Sequence, residues 1–231
     1  MNKEKNIFIT GGNRGIGRGL VKSLSNDHNV FFSVRDREKG ETVLTDLTNS
    51  SAKYIIMDVS SNDSVNQGME KLKKIASSID ILINNAGILI PGLGNSIPAI
   101  ETDENSILKT FNVNTLGVLR VCREVVPLMP FRSRIINISS GMGQLQDMDG
   151  GNISYRLSKV ALNGLTKVLS NELLDKKINI NAICPGWVQT DMGGSNATLT
   201  VEESTTMIID FVLSDNFPNG KFLRHGEIIP W

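Results

Sequence analysis

A chain of 231 residues is long enough for one well-packed α/β domain and too short for two comfortable ones. Hydrophobic residues make up 40% and charged residues 21%, an ordinary globular balance, and 24 basic side chains stand against 24 acidic ones. No charge excess favours nucleic acid or an anionic membrane, and no apolar run approaches the ~20 residues of a membrane span. The polar start, Met1-Asn2-Lys3-Glu4-Lys5, is not a signal peptide, so a cytoplasmic location is expected. Cys122 and Cys184 stand apart without CxxC or other ligand spacing and read as buried, reduced thiols; no metal site is expected.

The first predicted strand, 6–10, runs straight into Thr10-Gly11-Gly12-Asn13-Arg14-Gly15-Ile16-Gly17, where a helical pattern over 15–26 begins. A glycine-rich turn from strand to helix lets the backbone approach a pyrophosphate and aims free N–H groups at it. The spacing is Gly-x-x-x-Gly-x-Gly rather than Gly-x-Gly-x-x-Gly, and a turn without a ligand is the competing reading. Its place after the first strand of a repeating βα chain favours a dinucleotide. The second strand, 29–34, ends in Ser33-Val34-Arg35-Asp36, where the residue that reads the adenosine ribose is expected. Asp36 could accept from a free 2′-hydroxyl, which keeps NAD open. Arg35 is the first side chain beyond the apolar run, and Arg14 adds a cation on the same side. Two guanidinium groups suit a 2′-phosphate, so NADP(H) is the expected cofactor.

Further along, helical patterns near 37–48, 62–78, 103–129, 153–175 and 201–213 alternate with strands at 53–57, 80–84, 133–139 and 179–184, and a weaker strand covers 221–224. Ile81-Leu82-Ile83 is continuously apolar, as a parallel strand buried on both faces should be. Strands separated by helices of this length imply right-handed crossovers. The expected fold is α/β: a single Rossmann-type doubly wound parallel sheet, helices on both faces, residues 1–231 forming one domain. Residues 186–200, rich in Gly, Asn, Ser and Thr, read as a mobile lid at the carboxyl edge of the sheet.

Of the two tyrosines, Tyr54 falls in a strand and reads as packing, whereas Tyr155 is followed four residues later by Lys159 on one helix face. A phenol is a poor acid–base catalyst at neutral pH unless a cation stabilises its phenolate, and a lysine one turn away supplies that cation. The apolar stripe of this helix, Ile153, Leu157, Val160, Ala161, Gly164, Leu165 and Val168, lies on roughly the opposite side. Taken alone, Tyr-x-x-x-Lys is more often an ordinary solvated pair. The histidines, His28 and His225, lie in no motif.

Taken together, the ordered motifs Thr10–Gly17, Asp58-Val59, Asn84-Asn85-Ala86-Gly87, Asn112-Val113-Asn114, Ser139-Ser140, Tyr155-x-x-x-Lys159 and Pro185-Gly186 resemble the short-chain dehydrogenase/reductases. The resemblance runs from about Asn6 to Trp231. Cys184-Pro185-Gly186-Trp187-Val188-Gln189-Thr190-Asp191-Met192 and the Gly-Asn-Arg turn are similar to the carbonyl reductase branch, with C-factor and sniffer-like features between Ser140 and Lys159. It implies an NADP-dependent oxidoreductase that interconverts a small-molecule carbonyl (aldehyde, ketone or quinone) and an alcohol. By the same resemblance, Tyr155 is the general acid or base, Lys159 lowers its pKa and holds the nicotinamide ribose, and Ser140 polarises the carbonyl. Asn114 interrupts its helix and holds a water of a proton relay. Gly11, Asn13, Arg14, Gly15, Ile16 and Gly17 cradle the cofactor, with Arg35 at the phosphate, and Asp58 and Val59 near adenine. Asn85, Ala86 and Gly87 line its floor; Pro185, Gly186, Val188 and Thr190 meet the nicotinamide end. Trp187 is either a pocket or a structural residue. Fifteen positions separate Ser140 from Tyr155, slightly more than is usual. The substrate pocket would come from loops near 88–100, 141–152 and 187–200.

A homodimer or homotetramer through helices 103–129 and 153–175 is expected. Extended sugar-nucleotide epimerases share the Tyr/Lys pair but are longer and have a differently spaced glycine turn. A non-catalytic NADP-binding sensor of the same fold is the other alternative.

Overall fold

The computed structural model describes residues 4–47, 50–90 and 97–231. Its strands are β1 (Asn6–Ile9), β2 (Asn29–Val34), β3 (Lys53–Ile56), β4 (Ile81–Asn84), β5 (Arg134–Ile138), β6 (Asn179–Cys184), β7 (Phe222–Arg224) and β8 (Glu227–Ile229). They form one sheet in the order β3-β2-β1-β4-β5-β6-β7-β8, parallel as far as β7. The helices are α1 (Gly15–Leu24), α2 (Arg37–Thr45), α3 (Asn62–Ile75), α4 (Glu104–Phe111), α5 (Gly117–Val125), α6 (Ile153–Glu172) and α7 (Val201–Leu213). The chain order reverses between β1 and β4, so the crevice of the doubly wound sheet opens at their carboxyl ends.

Alternation along the strands splits the core into two layers. Ile7, Ile9, Phe32, Ile83 and Ile136 point towards α1, α2 and α7, where Leu20, Val21, Val43, Ile208 and Val212 meet them. Phe8, Leu82, Ile135 and Ile180 point towards α3, α5 and α6. No described helix is long and apolar enough to cross a membrane.

The structure refines three expectations. The sheet is not wholly parallel: β8 returns antiparallel to β7 through His225 (φ 52°) and Gly226 (φ 80°), two left-handed residues that suit a tight hairpin turn. The helical stretch expected over 103–129 is interrupted around Asn114, where the resemblance implied a break. Between α4 and α5 the segment Asn112–Leu116 is a π turn, with Gly117 N–H donating to the Asn112 carbonyl, and Val126–Leu128 closes in a tighter turn. The 186–200 stretch is a fold-back loop that bonds to itself: Leu199 N–H donates to the Trp187 carbonyl (2.9 Å) and Gln189 N–H to the Leu199 carbonyl (2.8 Å). Val188 and Ala197 are buried within it.

The longest helix, α6, shows an inverted burial pattern. Ser154, Tyr155, Ser158, Lys159, Asn163, Thr166 and Ser170 face the sheet and are buried, while Leu157 and Val168, members of the expected apolar stripe, are 43% and 53% exposed. The polar side is buried because each group finds a partner. Thr166 accepts from Asn137 (2.8 Å), Ser139 donates to Asn163 (2.6 Å), and Thr115 donates to the Ser158 carbonyl (2.8 Å).

Candidate active site and cofactor cradle

The turn after β1 depends on close backbone approach. A Cβ on Gly17 would lie 2.1 Å from the Gly11 carbonyl oxygen and 2.5 Å from Asn85 Nδ2, so no side chain fits there. Asn85 fixes the turn: its amide donates to the carbonyls of Thr10 and Gly11, both at 3.0 Å, and Thr10 Oγ1 accepts from the N–H groups of Asn85 and Ala86. Those carbonyls are thereby tied to the end of β4. Ile16 anchors the first turn of α1 in the core. Helices α2, α3, α4 and α7 are capped by the side chains of Asp36, Ser61, Asp103 and Thr200; α1 has no side-chain cap and no acid in its first turn. An open N-terminus within a glycine cradle, with Asn13 and Gly15 at its rim, fits the pyrophosphate of a dinucleotide.

Asp36 is committed to α2, accepting from Lys39 N–H at 3.1 Å, and this bond holds its carboxyl below the usual range. Arg35 is exposed at the end of β2 and close enough to Asp58 to act on it. Burial raises the Asp58 pKa, but the hydroxyl and N–H of Ser60, with the charges of Arg35 and Arg120, lower it further, so the net shift is downward. Arg120, which carried no sequence signal, binds the Val59 and Asn112 carbonyls and Asn62, pinning the 58–62 loop to the π turn. Val59 itself is buried against Gly117. Arg14 turns elsewhere, pairing with Asp191 across 177 positions at 2.9 Å with both side chains exposed. The loop carrying Asp191 also leans on the glycine turn, since a Cβ on Gly15 would lie 3.1 Å from Thr190 Cγ2. Pro185 accepts from Ser204 Oγ, and Gly186 (φ 83°) starts the fold-back.

On the other side of the crevice, Ser140, Tyr155, Lys159 and Asn114 come together. Ser140 follows β5, accepts from Met142 N–H (3.1 Å) and hydrogen-bonds the Tyr155 phenol. Lys159 Nζ lies 5.5 Å from the Tyr155 ring centre and donates to the Ile138 carbonyl at 2.7 Å. A Cβ on Gly87 would meet Asn114 Oδ1 at 3.3 Å and Lys159 Nζ at 3.8 Å, which places the β4 loop beside both. Asn114 sits in the π turn; its side chain accepts from Ile88 N–H and donates to the Ile88 carbonyl and to Ser158 Oγ.

Burial pushes the Tyr155 phenol up to about 12, with the Ser140 bond opposing it, and pushes Lys159 down to about 8. Desolvation, which disfavours the charged form of both groups, is the largest cause of each shift. Cys184, read as an inert thiol, has a larger place: its sulfur accepts from Gly141 N–H at 3.1 Å and lies within electrostatic reach of Tyr155 and Lys159. Cys122, a buried free thiol pushed up to about 12 by desolvation, faces Asn84. Arg156 is buried and holds the 146–152 loop through the carbonyls of Gly150 and Gly151. Of the pocket loops expected from sequence, 91–96 lie outside the described residues.

The chain is similar in sequence and fold to known proteins. Mouse carbonyl reductase [NADPH] 1 is 26% identical over 276 aligned positions that cover 97% of each chain. The solved structure of carbonyl reductase Sniffer from Drosophila melanogaster superposes with a TM-score of 0.89 at 31% identity, covering 99% of this chain and all of that one. An NADPH-bound carbonyl reductase from chicken fatty liver gives 0.88 at 28% identity, over 99% of this chain and all of its own. The model of the short chain dehydrogenase family matches residues 5–199. The chain belongs to the short-chain dehydrogenase/reductase family of nicotinamide-dependent oxidoreductases, in its carbonyl reductase-like branch.

Proposed function

We propose that this chain is a cytoplasmic carbonyl reductase, one catalytic domain that uses NADPH to reduce an aldehyde, ketone or quinone and runs the reverse oxidation with NADP. The observation that carries the reading is the convergence of Ser140, Tyr155 and Lys159 across the crevice from the uncapped start of α1. When bound, the nicotinamide supplies or accepts the hydride. Ser140 donates a hydrogen bond to the substrate oxygen and polarises the carbonyl. Hydride arrival places negative charge on that oxygen, and Tyr155 gives it a proton. With a pKa near 12 the phenol is fully protonated at neutral pH, as an acid must be before it reacts. Lys159, still cationic at pH 7 with its pKa near 8, offsets the phenolate charge left behind. Because the Asn114 side chain is committed to Ile88 and Ser158, a relay water would rest on its main-chain carbonyl.

Preference for the phosphorylated cofactor is supported by Arg35, exposed where Asp36 has been withdrawn to cap α2. Arg14 can join it. An exposed ion pair such as Arg14–Asp191 is worth only about 0–1 kcal/mol, less than the ~1.5–3 kcal/mol of a charge-assisted bond to phosphate. The mouse relative is named for NADPH, and the chicken protein holds it. Outward-facing Leu108, Leu157 and Val168 on α4 and α6 support a homodimer or homotetramer through those helices. Tyr155→Phe tests the chemistry: kcat should fall by ~10²–10⁴-fold, with NADPH binding, followed by fluorescence, far less affected. Near-normal turnover in that variant would place the proton elsewhere.

A further inference from the structure

Arg224 is the last residue of β7, opposite Cys184 of β6 in register, at the carboxyl edge of the sheet where ligands of open α/β sheets bind. Alternation puts it on the same side as Phe222, whose ring packs with Ala182 and Cys184, so it shares the face on which α6 carries Tyr155. Its guanidinium lies directly against the turn that bears Ser140. A Cβ on Gly141 would be 2.4 Å from Arg224 Nη2 and 3.7 Å from Cys184 Sγ, so the guanidinium occupies the space that glycine leaves open.

This guanidinium is half-buried and poorly answered. Among the described residues its one hydrogen bond is a long one, 3.4 Å to Gln144 Oε1. Glu227 stands opposite it across the hairpin, yet among the described residues no carboxylate comes within ion-pair distance. Other arginines withdrawn from solvent are better supplied. Arg120 makes four hydrogen bonds, to Asn62, Val59 and Asn112. Arg134 binds the Val212 carbonyl and lies over the Phe217 ring, and Arg156 has two carbonyls with Asp149 beyond them. A cation held partly out of water costs free energy unless a partner answers it, and a planar fork of donors matches a carboxylate.

We infer that the carbonyl compound handled at this site carries a carboxylate, and that Arg224 binds it. The inference rests on the reduction proposed above and adds the substrate class. The carboxylate is unchanged in the reaction: the hydride adds to the carbonyl carbon, the C=O π pair takes the Tyr155 proton, and the nicotinamide is oxidised. One unanswered cation calls for one negative charge.

The test compares kcat/KM with NADPH for ortho-, meta- and para-carboxybenzaldehyde against their methyl esters. For at least one isomer the acid should exceed its ester by roughly tenfold or more. Arg224→Gln should bring that ratio to about one, and Arg224→Lys should keep part of it. The ratio matters because Arg224 also packs on the Ser140 turn, and a shift there would affect acid and ester alike. A parent ratio of one or less for all three isomers, or a ratio that survives in Arg224→Gln, overturns the inference. Benzoate titrated calorimetrically into the NADP-saturated protein separates the two readings. Binding that Arg224→Gln abolishes, with no aldehyde turned over, would sink the reduction and keep the carboxylate site; no binding to the parent protein would sink the site.

Discussion

The sheet face under α1, α2 and α7 and the strip of the other face under α6 are built on different principles. Under α1, α2 and α7 the contact is almost wholly apolar: Leu20, Val21, Val43, Ile208 and Val212 close over Ile7, Ile9, Phe32 and Ile83. Under α6 the helix lays hydroxyls, an amide and an ammonium group on the strands and turns Leu157 and Val168 outward. The first arrangement draws on burial, at roughly 25 cal/mol per Å² of apolar surface. The second draws on satisfied hydrogen bonds, each worth only ~0.5–1.5 kcal/mol net but costly to leave half made. Both faces therefore stabilise the sheet by burial, through α1, α2 and α7 on one side and α3 and α5 on the other, while the strip under α6 also holds reactive groups at fixed positions. Placing Tyr155 and Lys159 on a long, bonded helix gives them the rigidity that acid–base chemistry requires.

If that division is right, substitutions on the two faces should fail in different ways. Phe32→Ala, a fully buried ring on the apolar face, should cost about 3–5 kcal/mol in denaturant unfolding, with activity of the remaining folded protein retained. A loss of specific activity larger than the folded fraction explains would break the distinction. Thr166→Val on the α6 face keeps the shape but leaves the Asn137 amide without its acceptor, and should cost ~1–3 kcal/mol. Because Asn137 lies one residue before Ile138, which accepts from Lys159, kcat should fall as well. A stability loss with unchanged kcat would show that this face is only scaffold.

The cofactor side is a third region, built from loops, and its dependence should be additive. Arg35→Ala should raise the NADPH dissociation constant roughly tenfold to a hundredfold and leave NADH nearly unaffected, as measured by fluorescence titration. Equal losses for both cofactors would mean that Arg35 does not touch the phosphate.

A subtler contrast lies in pH. Lys159 has its pKa depressed to about 8, so it is charged below that value and neutral above it, while Tyr155 stays protonated up to about 12. Reductive kcat/KM should therefore be level through neutral pH and decline above about 8, with Lys159→Arg moving the decline upward. By the same sign, Lys159 opposes folding most below pH 8, where the buried group must carry its charge, and that penalty fades as pH rises towards 10.5. An absent alkaline limb, or one that Lys159→Arg leaves in place, would remove Lys159 from the proton step. The smallest effect concerns assembly: Leu157→Glu with Val168→Glu should shift sedimentation from oligomer to monomer without loss of fold, since both side chains are exposed. A parent protein already monomeric at micromolar concentration would end the proposal.

What the sequence made legible was local. Strand periodicity located β1 to β7 because each is a short apolar run between turn residues, and the glycine turn and Tyr155/Lys159 spacing are contiguous signals. What it hid was non-local or lacked period. The return strand β8 is three residues long and follows His-Gly rather than the usual Asn-Gly signal. The polar side of α6 could not be read as buried, because no single-helix pattern announces that Asn137 and Ser139 lie beneath it as partners of Thr166 and Asn163. Arg14–Asp191 and the placement of Cys184 and Arg224 beside Gly141 join segments tens of residues apart, and only the folded chain brings them together.

The Asn85 clamp has a consequence for how the protein acquires its activity. It ties Thr10 and Gly11 to a residue 74 to 75 positions away, across the β1–β4 pairing, with β2 and β3 lying between the two in sequence. Such long-range closure is late and slow in folding, because its loop entropy must be met before the contact forms. A chain in which that pairing has not formed lacks the Asn85 clamp, so the nicotinamide cofactor is expected to favour the native state. Cofactor at a hundred times its dissociation constant would then add about 2.7 kcal/mol to native stability and act as the protein's own folding ligand.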